Sequence, residues 1–174
     1  MLPFKILTLA LLFLIFLQDI KSRSVYWFLF PLLCITLLII RFNQPISLSE
    51  MGKSVLINIG FLLMQLLILT IYFSLKNKRW INISDNLLGL GDIFFLISIS
   101  FYLSVLNYLF FYVASLLGAL VVWLSWQAVS SRKSNFIPLA GFQSMIFILF
   151  LASDWWLKCF DLTNDTWLLH LITK

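Results

Sequence analysis

The chain has 174 residues, of which 62% are hydrophobic and only 11% charged, with a mean hydropathy of +1.03. Water-soluble domains run nearer half apolar and a quarter charged, so this composition excludes a soluble fold and points to an all-α polytopic membrane protein. The net charge of +5 comes from short basic clusters between apolar runs, which fits loops flanking membrane spans and excludes a nucleic-acid groove.

Six spans are predicted, and at about 20 residues per crossing they leave no room for a separate soluble domain, so residues 1–174 form one membrane-embedded domain. The first covers 3–18. Lys5 followed by an apolar run resembles a signal peptide, yet no small-x-small cleavage pattern follows, and a retained span is expected. The second covers 25–40, with Pro31 expected to kink it, and a loop with Arg41, Pro45, Glu50 and Lys53 follows. The third covers 54–75 and ends at Lys76, Lys78 and Arg79, before a polar stretch with Asn82, Ser84, Asp85 and Asn86.

No charge occurs between Ile93 and Ser131. A single helix over that stretch would reach about 60 Å, twice the hydrocarbon thickness, so it must turn, and Asn107 is the expected place. Spans four (91–106) and five (108–129) result. Arg132 and Lys133 close the fifth, and the sixth covers 136–156. Asp154, Asp161 and Asp165 among Trp155, Trp156 and Trp167 read as an interfacial tail.

The loops after spans one, three and five carry Lys21, Arg23, Lys76, Lys78, Arg79, Arg132 and Lys133, seven cations. The opposite side carries Lys5, Arg41, Lys53, Lys158 and Lys174, five. The positive-inside rule therefore predicts cytoplasmic odd loops and external termini. Cys34 and Cys159 lie far apart and read as small apolar residues, and the lone His170 builds no metal site, so neither metal nor cofactor is expected.

Two acids interrupt this apolar pattern. Asp19 ends span one, and Asp92 opens span four in Gly89-Leu90-Gly91-Asp92. Two crossings lie between them, so parity puts both on the cytoplasmic side, each the other's evident partner. Paired carboxyls sharing one proton supply an acid and a base together, which is what hydrolysis by an activated water requires. Neither role is assigned to one member, because such a pair titrates as a unit. Gly89 and Gly91, lacking Cβ atoms, are expected to let the backbone beside Asp92 unwind and admit an extended substrate.

At these residues the chain resembles the type IV prepilin peptidases and archaeal preflagellin peptidases. Their first aspartate follows the first catalytic helix, as in Asp19-Ile20-Lys21-Ser22-Arg23, and their second sits in Gly-x-Gly-Asp, as in Gly89–Asp92. Ser115-Leu116-Leu117-Gly118-Ala119-Leu120 is similar to the fifth helix, and Phe136-Ile137-Pro138-Leu139-Ala140-Gly141-Phe142 to the segment opening the sixth. The order holds along nearly the whole chain. Phe94 stands where many members have Lys, Tyr26 and Trp27 stand where a Pro is expected soon after Arg23, and there are no Cys-x-x-Cys pairs, so the resemblance is to the minimal catalytic half.

The resemblance implies a membrane aspartic endopeptidase with Asp19 and Asp92 catalytic. Arg23 would steady the pair or touch the substrate; otherwise it is an ordinary cytoplasmic anchor. The implied substrates are prepilin-like membrane proteins with a basic leader, a Gly before the cut and an apolar helix. Their processing would take place at the cytoplasmic face of a bacterial or archaeal plasma membrane, for a pilus or secretion apparatus. A catalytically silent relative acting as a membrane scaffold or assembly factor is the alternative. A small transporter is a third reading, disfavoured because the acids sit at one face and not mid-bilayer.

Overall fold

A computed structural model describes residues 1–22, 24–44, 47–78, 89–129, 138–158 and 161–172. Arg23, Pro45, Arg79, the polar stretch with Asp85, Arg132, Lys133, the Phe136-Ile137 opening of the sixth span, Cys159 and Lys174 lie outside these residues. The described residues are helical and include no strand. The elements are α1 (Leu2–Ser22), α2 (Leu29–Phe42), α3 (Leu48–Asn77), α4 (Leu90–Ser100), α5 (Val105–Val129) and α6 (Leu139–Ala152). A π-helical turn (Ser153–Leu157) and α7 (Thr166–Ile172) follow.

Among the described residues, four helical stretches are long and apolar enough to cross a bilayer: Leu2–Ser22, Leu48–Lys76, Val105–Ser125 and Leu139–Leu157. The apolar α2 and α4, with 14 and 11 residues, extend only about 21 and 16 Å, less than the hydrocarbon thickness. The outward faces of α3 and α5 expose Leu56, Leu67, Ile71, Leu117 and Val121, a surface that lipid solvates and water does not. This is a helical membrane protein.

The core lies where α1, α2, α4, α5 and α6 meet, around Leu12, Ile15, Leu33, Phe95, Ile99 and Phe147. Phe147 meets both Phe95 and Phe111 edge to face, a favoured geometry for aromatic quadrupoles. α1 packs most extensively on α6 and runs antiparallel to it, since Lys5 sits over the Trp155 ring while Asp19 meets Gly141.

Several expectations need correction. The chain turns at Phe101–Ser104, not at Asn107, which lies in the first turn of α5. The reason is a pair of long-range partners at that corner. The last carbonyls of α4 have no helical donor, and they are met from other helices. Arg41 donates to the Tyr102 carbonyl, and Asn58 Nδ2 donates to those of Ser100 and Leu103 at 3.2 and 3.0 Å. Arg41 is consequently buried inside α2 and not in a loop, while Lys53 belongs to α3.

The start of α5 is capped by Asp165, whose Oδ1 accepts from Ser104 Oγ (2.6 Å), Leu106 N (3.1 Å) and Asn107 N (3.3 Å). Asn107 then pins the C-terminal segment, donating to the Asp161 and Asn164 carbonyls and accepting from Trp167 Nε1. Asp154 is not in the tail: it lies in the π-helical turn and accepts from Tyr102 Oη at 2.9 Å, while Tyr102 Oη accepts from Trp155 Nε1. Pro31 kinks nothing, because it falls in the first turn of α2, where a missing N–H costs no helical bond.

Asp165→Ala removes a charged acceptor from three donors at once. A loss of about 1–3 kcal/mol is expected, read as a lower thermal midpoint in detergent, with Ser49→Ala at the exposed start of α3 as the unaffected control.

Candidate active site at the start of α6

A helix N-terminus leaves its first N–H groups without helical acceptors, and its dipole favours anions there. α6 begins after Pro138, whose φ of −73° suits the entry to a helix and whose missing N–H is one of those spare donors. The N–H of Phe142 already bonds back to the Pro138 carbonyl, leaving those of Ala140 and Gly141 for other acceptors. Gly141 N–H bonds to one carboxylate and Ala140 N–H faces another.

Asp19 reaches them from α1. The helix runs on to Ser22, so Asp19 lies inside its last turn and not past its end, as the span boundary predicted. The turn's spare carbonyls disfavour an anion there, and α6 supplies the compensation: Gly141 N–H donates to Asp19 Oδ2 at 2.6 Å. Asp19 is buried, with 8% of its surface exposed. The approach is so close that a Cβ on Gly141 would stand 3.1 Å from Asp19 Oδ2, 3.2 Å from Asp19 Cβ and 3.5 Å from the Phe16 carbonyl. Any side chain at Gly141 would press α1 away from α6 by at least a few tenths of an ångström.

Asp92 arrives from α4. Gly89 is the N-cap, with extended backbone (φ −64°, ψ 139°), and Asp92 Oδ2 accepts its N–H at 3.2 Å, the reciprocal half of a capping box. The Asp92 carboxylate also faces the backbone N–H of Ala140 and lies within electrostatic range of Asp19. Two carboxylates from helices far apart in sequence thus meet at the first turn of α6, Asp19 bonded to the Gly141 N–H and Asp92 beside that of Ala140. Asp92 is half-buried and Asp19 fully so, which leaves Asp92 the more accessible of the two.

The glycines depart from expectation in one respect. Gly91 lies within the first turn of α4 and does not unwind it; a Cβ there would make ordinary contact with Phe30 at 3.6 Å. Gly89 has a clearer part, since a Cβ would press to 3.3 Å on Asp92 Oδ2. Arg23 lies outside the described residues. Among the described residues, no group of three or more His, Cys, Asp or Glu side chains is placed to hold a metal ion.

No protein-family model, curated protein or solved structure matches this chain.

Gly141 and the Ala140 amide escape a search for reactive side chains, because their contribution is a backbone donor and an absent Cβ. The signal was present: Pro138 followed within three residues by Ala140 and Gly141 marks a helix start that another helix can approach closely. Gln65 and Gln143, which line a cleft with Asp92, are isolated amides in apolar helices and belong to no motif.

Proposed function

We propose that this chain is a membrane aspartic endopeptidase of the prepilin-peptidase type, with Asp19 and Asp92 as its catalytic pair. The observation that carries the reading is the meeting of these two acids at the first turn of α6, within electrostatic range of each other. Two carboxyls in one electrostatic field can divide acid and base roles between them. The ionised member takes a proton as water's oxygen bonds to the scissile carbonyl carbon, and the protonated member donates to the carbonyl oxygen. Collapse of the resulting diol breaks the C–N bond, and the leaving nitrogen takes a proton from the pair.

The full reading has six spans, α2 and α4 being the two short ones. The acids face the cytoplasm of a bacterial or archaeal plasma membrane, where the cationic loops lie. The substrate is a membrane-inserted protein with a basic leader, a glycine before the cut and an apolar helix behind it.

One observation favours the second reading, an inactive scaffold. Each acid also serves the fold, Asp92 by capping its own helix and Asp19 by joining α1 to α6. Purified protein in proteoliposomes, incubated with a synthetic peptide of that substrate design, separates the two. A cut after the glycine supports the peptidase, and an intact peptide beside well-folded protein supports the scaffold.

A further inference from the structure

A narrow cleft opens beside Asp92 between α3, α4, α5 and α6; about 320 Å³ with its open mouth counted, it has room inside for only a water or two. Its walls are largely apolar, among them Leu66, Leu96, Leu116 and Leu139, but two amides break them: Gln65 from α3 and Gln143 from α6. Gln143 is completely buried. Its Nε2 donates to Ser115 Oγ at 3.4 Å, and that hydroxyl spends its own proton on the Tyr112 carbonyl. The Gln143 Oε1 is therefore an acceptor, and among the described residues it has no donor; the buried Oε1 of Gln65 has none either.

Two buried acceptors, in an apolar cleft that ends at a carboxylate, are costly unless a donor reaches them. A water fits the space and serves them in the free protein, and a ligand that displaces it must carry N–H groups along an apolar chain. A lipid acyl chain matches the walls but has no donor. A polypeptide in extended conformation has both, because its N–H groups are released from helical pairing while its side chains remain apolar.

We propose that this cleft, widened by outward movement of α3, is the subsite where the substrate chain beside the scissile bond lies extended, two of its backbone N–H groups donating to Gln143 Oε1 and Gln65 Oε1. The inference rests on the peptidase reading for its ligand. α3 forms the wall that admits the chain. Only 11% of its apolar window is buried, the least of the four long helices, and Leu62, Gln65, Leu66 and Leu69 present one face to the cavity at helical spacing.

The test uses the full-length protein in nanodiscs and a fluorescent peptide with a basic leader, a glycine and an apolar segment. A methylene replaces its scissile carbonyl, so it binds uncut. A companion series carries one backbone N-methyl group at a time across the residues flanking that bond. One N-methyl position is expected to weaken binding to the unaltered protein about ten-fold and to leave Gln143→Leu unaffected, with a second position behaving so toward Gln65→Leu. Gln143→Asn, which keeps the amide but withdraws it, is expected to behave as Gln143→Leu and guards against a packing defect. Equal penalties in all proteins, as water serving the acceptors would give, overturn the subsite, and so does failure of the peptide to bind. Cleavage of the ordinary amide peptide without this coupling sinks the subsite alone. Coupling without cleavage keeps the subsite and removes the peptidase.

Discussion

Asp19→Asn and Asp92→Asn are each expected to lower peptide cleavage by about 10³-fold, and the double variant to lower it hardly further. Asparagine keeps the size of the side chain and an oxygen acceptor, so the N–H groups of Gly141, Ala140 and Gly89 still face an acceptor. What disappears is the ability to exchange a proton with water. Because the two acids act as one unit, removing either removes the mechanism, and the losses do not add. Turnover of the leader peptide in proteoliposomes reads this directly, with size-exclusion elution and thermal midpoint as the controls for folding. Losses that multiply in the double variant would mean that the two acids work independently.

Gly141→Val is expected to cost about 10²-fold in activity and about 1–3 kcal/mol in stability. The atoms a valine would strike are the Asp19 Cβ, at 3.2 Å from the first added carbon, and the Phe16 carbonyl beyond it. Neither swings away as the end of a long side chain would, so α1 must back off α6. That movement stretches the 2.6 Å bond to Asp19 and shifts one acid relative to the other. Gly141→Ala should fall between the two. Gly60→Ala is the matched control, because nothing lies within 4 Å of its added carbon, and there the better helix propensity of alanine should leave stability equal or higher. Assaying cleavage and thermal midpoint on all three separates local crowding from a general intolerance of side chains in these helices.

Much of the helical layout was legible because lipid-facing helices declare themselves by composition. The uncharged run from Ile93 to Ser131 required a turn by length alone. Where the turn falls was not legible. Asn107 looked like the polar residue that stops a helix, yet it begins one, since Asp165, nearly sixty residues later, provides the cap. Arg41 was misplaced for the same reason: a cation beside an apolar run reads as a loop unless one knows that the Tyr102 carbonyl awaits a donor inside the bundle. Long-range hydrogen bonds at helix ends decide such boundaries, and local sequence does not carry them.

The candidate site divides along the same line. Counting crossings put Asp19 and Asp92 at one end of the bundle, and α1 and α4 carry them to the start of α6. A charged residue in an apolar helix stands out, whereas a backbone N–H does not, so the surface on which the acids rest was invisible. Gly91 shows the opposite error. A glycine beside a reactive acid suggested an unwound backbone, while its φ and its neighbours are those of an ordinary first helical turn.

The central claim is that Asp19 and Asp92 together direct a water at a peptide bond. Mass spectrometry of the leader peptide after incubation with the reconstituted protein in ¹⁸O-water tests it most directly. A single cut after the glycine, with one ¹⁸O atom in the new carboxylate and no product from Asp19→Asn or Asp92→Asn, is the predicted result. An intact peptide beside well-folded protein, or a cut that both variants make as fast as the unaltered chain, would contradict it.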